Sequence, residues 1–407
     1  MSTTDGNARL PRADTTRTAV LALLGRRGPM SRAQMARQLE LSPGAVGLVT
    51  KRLIDQGLVE ALDAEGAAHH SGQGRPGQLL GLVGRAGRAV GAKVAADRLT
   101  MVDMRLDGEV VRSGIEPFDA TAPLAVAQLA SRLQAFARQD RVPLLGVGVC
   151  VPGMVDRPDL GNVEVPALGW SELALGRHLR GALGVPILVE NGVKALAFAE
   201  SLYGLGRSHR TFALVTIGRG IGFAHVAEGL VQRGTYGRAG EIGHCVVDPR
   251  GPLCWCGRTG CLEAFAGQDG LVAAARRRGV IGPRGSVETI ARAAARGDAG
   301  ALAVFSDAAG RVGRFVSATL AVLDPEVLLV AGEGSAHWRY WEPAFLSELR
   351  SCAPDWSGTV RVEVDSWEDT SWAQGAAAIV LATPFDQRPA AGGLRHQVLA
   401  RLVDESA

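Results

Sequence analysis

No apolar run in this chain of 407 residues approaches the ~20 positions that a membrane-spanning helix requires, which excludes a helical integral membrane protein. Cysteine is sparse, at six residues, and no apolar signal stretch is evident ahead of the body of the chain. The expectation is therefore a soluble, cytoplasmic protein in a reducing compartment. Lysine is scarcer still: Lys51, Lys93 and Lys194 stand alone among 44 basic residues. Net charge is close to zero, at +3, but unevenly spread: residues 1–88 hold 12 Lys and Arg against 7 Asp and Glu, and the remainder holds 32 against 34. A mildly basic N-terminal module on a slightly acidic body is the pattern of a nucleic-acid reader joined to a regulatory domain. The length predicts two or three domains.

What the chain does hold is a concentration of metal-type ligands. His244, Cys254, Cys256 and Cys261 fall within eighteen positions, in the run GHCVVDPRGPLCWCGRTGCLE. Three thiolates and an imidazole, with Gly257 and Gly260 letting the backbone fold back, make a closed tetrahedral donor set for zinc (Zn2+). Four protein ligands leave no position for water, so a structural ion is expected and not a catalytic one. Two disulfides or unrelated buried thiols are the alternatives, and disulfides would need an oxidising compartment.

Near the N-terminus, Val20, Leu21, Leu23 and Leu24 recur at helical spacing and predict a first helix that stops at Gly25, with a turn at Gly28-Pro29. Ser31 caps a second short helix through Met35, Ala36 and Leu39. Ser42 followed by Pro43 is a favoured helix entry, because Pro lacks only an N–H that would have no intrahelical partner. The third helix is predicted over residues 43–56, with Val46, Val49, Leu53 and Ile54 buried and Gly57 at its end. Strands near 58–60 and 78–82 frame a glycine-rich wing carrying Gly74-Arg75-Pro76. Residues 1–85 thus read as a winged helix-turn-helix whose partner is double-stranded operator DNA. The first turn of the third helix is built of small residues, so base contact rests on Ser42, Pro43 and the Ala45 methyl or on groove shape. Lys51 and Arg52 are expected on phosphates, and Arg75 either in a minor groove or on phosphate.

In the body, residues 89–117 read as a β-meander, followed by a helix over 123–138, a strand at 144–151, a helix near 171–183, a strand at 187–191 and a helix to about 203. A second meander starts at 212–217, with helices over 286–297 and 300–322, a strand at 327–331 and a last helix near 370–382. The repeated order predicts two similar α/β lobes with a cleft between them. Gly146-Val147-Gly148, Val151-Pro152-Gly153-Met154-Val155-Asp156, Leu168-Gly169-Trp170, Val189-Glu190-Asn191, Gly218-Arg219-Gly220-Ile221-Gly222 and Ala239-Gly240-Glu241-Ile242-Gly243-His244 precede the cysteine run ending in Cys261-Leu262-Glu263. Together, over about 15–385, these motifs resemble the ROK family of bacterial sugar kinases and sugar-responsive repressors, and the appended winged helix resembles the repressor branch. The resemblance implies a two-lobed, actin-like (ribonuclease H-like) α/β fold. One lobe would comprise 86–198 completed by the helix near 370–385, and the other 199–369 with the zinc site. Residues 386–407 fall outside the resemblance and are expected as a tail, either with a short helix around 394–403 or disordered.

In proteins of this kind a sugar sits between the lobes. The resemblance places its contacts here at Asn191, Glu241, His244 and Glu263, with Gly153 in the turn beside them. The chemistry fits: carboxylates accept paired bonds from vicinal hydroxyls, an Asn amide offers both signs, and a metal-bound imidazole has a second N–H to offer. Kinases of the family follow the Asn with a proton-accepting Asp, but here that position is Gly192. A general base contributes ~10²–10⁴-fold, so phosphotransfer is expected to be residual at most, no catalytic residue is assigned and no ATP is expected. The first phosphate-binding segment reads Val94-Ala95-Ala96-Asp97-Arg98, without its glycines, and Arg219 enters the second. Ala167 and Lys194 replace Asn residues of the hexose pattern. Lys194 has two readings, a lysine on a solvated helix face or a contact for an acidic or phosphorylated ligand.

The leading expectation is a homodimeric or homotetrameric transcriptional repressor that reads half-sites ~34 Å apart or a multiple of it and responds to a sugar or sugar derivative. Two alternatives compete with it: a sugar kinase retaining some ATP-dependent turnover, and a regulator controlled by a protein partner.

Overall fold

The computed structural model describes residues 12–62, 78–351, 360–365, 368–386 and 390–403. Arg75 and the wing tip lie outside the described residues. The chain divides into a first unit, Met1–Ser208 with Trp372–Ala407, and a second unit, His209–Ser371.

The first unit opens with α1 (Arg12–Arg27), β1 (Met30–Ser31), α2 (Arg32–Gln38), α3 (Pro43–Asp55), β2 (Val59–Leu62) and β3 (Leu79–Leu82), with sheet order β1-β3-β2. This is a winged helix. The Ser31 hydroxyl accepts from the Gln34 N–H, and the Gln34 side chain accepts from the Ser31 N–H at 2.8 Å, so two otherwise unpaired donors at the start of α2 are satisfied together. The Ser42 hydroxyl likewise accepts from the Ala45 N–H at 3.2 Å at the start of α3. Contrary to the sequence expectation, α1 does not stop at Gly25. The glycine lies inside the helix, with the Phe385 ring 3.4 Å from its Cβ position, and Gly28, at φ +76°, makes the actual exit. Periodicity also missed Thr50, which is fully buried: its hydroxyl donates to Val46 O at 2.8 Å and accepts from Arg32 Nε at 3.0 Å, tying α2 to α3.

Next come β4 (Arg88–Val94), β5 (Arg98–Arg105), β6 (Val110–Pro117), α4 (Ala125–Ala137) and β7 (Leu144–Val151). A small antiparallel sheet of β8 (Met154–Val155), β9 (Val163–Val165) and β10 (Trp170–Leu173) follows. Then come α5 (Leu175–Leu183), β11 (Ile187–Asn191) and α6 (Gly192–Leu202). The main sheet has order β11-β7-β4-β5-β6, antiparallel through β4, β5 and β6 and parallel through β4, β7 and β11. Val90, Ala92, Val147, Val149 and Val189 point from it into a core shared with Leu129, Leu133 and Leu179 of α4 and α5. The opposite face carries a late helix of the chain so closely that a Cβ at Gly148 would lie 1.7 Å from Ala376 O, which only glycine allows. The segment near 171–174, expected as helix, is partly β10, since Trp170 pairs with Val165.

The second unit contains β12 (Phe212–Ile217), β13 (Ile221–Ala227), β14 (Leu230–Val231), α7 (Leu262–Ala266), α8 (Gln268–Arg277), α9 (Val287–Ala295), α10 (Ala299–Leu323), β15 (Val327–Ala331), α11 (Trp338–Ser351) and β16 (Arg361–Val364). Its sheet order is β14-β13-β12-β15-β16, the same meander-plus-parallel plan as the first. The chain then returns to the first unit with α12 (Ser371–Leu381), the helix against Gly148, and α13 (Arg395–Val403). The tail helix is docked: Gly393 N–H donates to Asp159 at 3.1 Å, and Arg401 to Gly184 O at 3.1 Å. Among the described residues, no helix is long and apolar enough to cross a membrane.

Candidate ligand and metal sites

The loop from His244 to Cys261 has little regular structure, only the isolated bridges Val246 to Cys261 and Leu253 to Thr259. It nonetheless brings four donors together: single ligand atoms of His244, Cys254, Cys256 and Cys261 all lie within 4.8 Å of one another. Cys254 Sγ is 3.6 Å from His244 Nδ1, and Cys256 Sγ is 3.7 Å from Cys261 Sγ. A tetrahedral centre with metal–sulfur bonds of ~2.3 Å has edges of about 3.8 Å, so the donor spacing fits a metal ion. Burial pushes the Cys254 thiol up to about 12. Burial also raises Cys256, but hydrogen bonds from Arg258 and the neighbouring thiols outweigh it and hold it at about 7. One thiolate therefore forms readily and the others need a cation.

The metal cluster lies beside the residues that resemble sugar contacts on the second unit. Glu241 caps the short 3-10 turn Ile242–His244 and accepts from the His244 N–H through its carbonyl at 3.1 Å. Burial, opposed by the Glu241 charge, lowers the His244 pKa and favours the neutral ring that a metal binds. Glu263 accepts from the Ile221 N–H at 2.6 Å. Burial nevertheless raises its pKa to about 7, against the hydrogen bonds from Ile221 and from the Trp255 side chain. Its carboxylate lies 3.0 Å from the Cβ position of Gly220, and Glu333 crowds the Cβ position of Gly218. Two carboxylates thus face the Gly218-Arg219-Gly220 loop.

On the first unit, Asn191 ends β11 and caps α6: its Oδ1 accepts from the Val193 N–H at 2.9 Å, and its Nδ2 donates to Gly153 O at 3.0 Å. The amide is therefore fixed in orientation, with one lone pair and one N–H left to offer. Gly153 has no room for a side chain, since a Cβ would lie 2.5 Å from Glu164 O. Lys194 is 1% exposed, which removes its reading as a solvated lysine; α6 is covered by its neighbours along most of its length. Sequence reasoning missed Lys93. Its Nζ lies 3.0 Å from the Cβ position of Gly192 and 5.1 Å from the centroid of the Trp372 ring. The scarcity of lysine was the available signal.

On the winged helix, Ser42, Pro43, Lys51 and Arg52 of α3 are exposed and Ala45 is half-buried. Leu48, 55% exposed on the same helix, offers an apolar side chain that the sequence pattern did not single out.

Residues 110–383 match the ROK family model. The chain belongs to the ROK family. Residues 15–64 match the MarR family model, in keeping with the winged helix that precedes the ROK body. The NagC DNA-binding transcriptional dual regulator of Escherichia coli K12 is 28% identical over 378 residues, 89% of this chain and 91% of that protein. The xylose repressor of Bacillus subtilis 168 is 29% identical over 248 residues, and that match spans 60% of this chain and 63% of the repressor. Among solved structures, a ROK family transcriptional regulator described as a homologue of the E. coli Mlc protein aligns with a TM-score of 0.77 at 25% identity, covering 96% of this chain and 99% of that one. A ROK glucokinase from Streptomyces griseus aligns over 71% of this chain and 98% of its own, with a TM-score of 0.63 and 24% identity, which shows the shared ROK fold. The kinase likeness covers 71% of this chain and the regulator likeness 96%.

Proposed function

We propose that this ROK protein is a sugar-responsive transcriptional repressor that binds operator DNA through α3 and its wing and does not phosphorylate its ligand. One observation carries the reading: the winged helix is joined to a ROK body in which Asn191, Glu241, His244 and Glu263 are kept while position 192 carries no side chain. Recognition of hydroxyls needs the first set; proton abstraction needs a carboxylate that glycine cannot supply. One further feature opposes ATP: the segment Val94-Ala95-Ala96-Asp97-Arg98 lacks the glycines that let a backbone approach phosphates closely.

In this reading Ser42, Pro43, Ala45 and Leu48 face bases, Lys51 and Arg52 meet phosphates, and Arg75 acts from the wing. A structural zinc ion held by His244, Cys254, Cys256 and Cys261 cross-links the loop that presents Glu241 and Glu263, and it supplies rigidity, not reaction chemistry. The protein acts as a homo-oligomer whose two heads read paired half-sites, and the sugar changes DNA affinity by no more than its differential affinity for the two states. The test is retention of genomic DNA fragments by the purified chain, followed by release with a panel of sugars, alongside an ATP-consumption assay on the same panel. DNA retention with sugar-dependent release and no ATP turnover is expected; ATP-dependent conversion of a sugar to its phosphoester would sink the reading.

A further inference from the structure

We propose that the second unit holds a separate effector site for a small phosphate-bearing metabolite behind α7, formed by Arg277 of α8 and Arg311 of α10. A cavity of about 290 Å³ opens between α7, α8 and α10, with Phe265 and Val304 on its apolar side and Arg277, Arg278, Asp307 and Arg311 around it. That volume corresponds to roughly ten waters at ~30 Å³ each, enough for a phosphate with a short organic body. Of the three guanidiniums only Arg278 has a carboxylate, that of Asp307. Arg277 has no ionic or hydrogen-bond partner among the described residues. Arg311 has no carboxylate there either; its guanidinium carbon lies 4.1 Å from the centroid of the Phe265 ring.

Helix ends do not account for this arrangement. Arg277 closes the last turn of α8, where a positive charge offsets the helix dipole, but Arg311 stands at the midpoint of α10. The surrounding segment adds to the positive field, since residues 270–315 hold eight Arg against Glu288, Asp298 and Asp307. Two guanidiniums that share a cavity without counter-charges repel each other. A dianion between them removes that repulsion and gains charge-assisted, bidentate hydrogen bonds. A phosphate monoester carries about −1.5 to −2 at neutral pH, which matches two cations, and Phe265 with Val304 offers its organic body an apolar wall. An effect on sugar binding follows from position, and this step rests on the sensor reading above. Phe265 lies two residues from Glu263 on α7, and its ring packs so closely on the cysteine loop that Gly251 has no room for a Cβ. An anion that fixes Arg311 over Phe265 therefore acts on the helix that presents Glu263.

The experiment is calorimetric titration of the full, zinc-loaded chain with glycerol phosphate, inorganic phosphate, succinate and glycerol at constant ionic strength. Arg277→Met, Arg311→Met and Asp307→Asn are titrated in parallel, and urea unfolding checks that each variant is folded. Glycerol phosphate is expected to bind and glycerol is not. Its affinity should fall about tenfold or more in Arg277→Met and in Arg311→Met, and rise in Asp307→Asn, which frees Arg278. Failure of every dianion to bind, or affinity unchanged in Arg277→Met, overturns the site; Arg277 is exposed, so that variant decides the matter even if Arg311→Met does not fold. Succinate binding as tightly as glycerol phosphate overturns the phosphate assignment. Titrations with glucose, xylose and N-acetylglucosamine are then repeated with glycerol phosphate at saturation. Sugar affinity should change about fivefold or more in the parent and stay constant in Arg277→Met. An unchanged sugar affinity in the parent overturns the effector role and leaves the sensor reading standing. Absence of sugar binding in every condition overturns the sensor reading, and with it the effector role, while the anion titrations still decide the site.

Discussion

In the proposed reading, removing the zinc ion should separate sugar binding from DNA binding. The loop closed between His244 and Cys261 spans about 17 residues, and tying its ends stabilises it by ~3 kcal/mol on the chain-entropy relation for cross-links. Only two isolated bridges hold the loop otherwise, so little else replaces that contribution. A loss of ~3 kcal/mol changes the population of the ordered loop by about 150-fold, and sugar affinity should fall by up to that factor because a ligand binding only the ordered form carries the difference. The winged helix has its own core of Val20, Leu24, Met35, Val46, Leu53 and Leu80 and should keep its intrinsic affinity for DNA. The assay pairs stoichiometric metal release, read with a chromogenic chelator, with sugar titration and operator binding before and after release. Cys256→Ser should reproduce the loss without any chelator. Undiminished sugar affinity in fully metal-free protein would refute the argument that the ion braces Glu241 and Glu263.

Three other outcomes can be checked independently. Arg52→Ala should weaken binding to every operator variant equally and reduce the salt slope by about one, whereas Arg75→Ala should act mainly at AT-rich positions; equal losses for both across all variants would remove the distinction. Gly148→Ala forces a methyl onto Ala376 O at 1.7 Å and should destabilise the first unit by about 3 kcal/mol in urea unfolding, so an unchanged midpoint would contradict the packing of α12 on the sheet. Asp159, which latches the tail, is raised by burial, but the Arg157 side chain, the Gly393 N–H and the Arg157 charge together hold it below its ordinary value. A depressed acid contributes stability that is present above its unfolded pKa of ~3.9 and lost as pH falls through the lower folded value. Hydrogen exchange over 392–403 should therefore accelerate only on acidification through that range, and Asp159→Asn should show the faster exchange already at neutral pH.

The parts legible in the sequence were those fixed by short-range rules. Ser42-Pro43 opened a helix where expected, Leu144–Val151 and Val327–Ala331 were strands, and the spacing of His244, Cys254, Cys256 and Cys261 did bring four donors together. The misses were long-range. Gly25 reads as a helix end until Phe385, 360 positions later, fills the space beside it. Lys194 reads as a surface lysine until the whole of α6 is seen to be covered. Lys93 looks like an ordinary strand residue, and only the fold brings its ammonium to Gly192, a pairing across about a hundred residues that no periodicity encodes.

Control of DNA binding by a ligand needs a mechanical link, and the first unit contains one. Helix α6 starts beside Asn191 and, at 1.5 Å per residue, runs ~16 Å to Leu202, where it continues into the short turn Leu205–Ser208. Both α6 and that turn contact α1 of the winged helix. The Arg207 guanidinium lies 3.0 Å from the Cβ position of Gly28 at the α1 exit, and the Tyr203 hydroxyl donates to Leu106 O at 3.1 Å, fixing the far end of α6 to the β5–β6 turn. A ligand that biases the start of a covered, rigid helix must bias its end, because packed interiors transmit displacement instead of absorbing it. Coupling energies between sites are typically 1–3 kcal/mol, or about 5–150-fold in affinity. Arg207→Ala should reduce that factor toward one while sugar affinity and sugar-free operator affinity stay near those of the parent, since the residue belongs to neither site. Full sugar-dependent release of DNA by Arg207→Ala would show that the signal leaves the ligand site by a route other than α6.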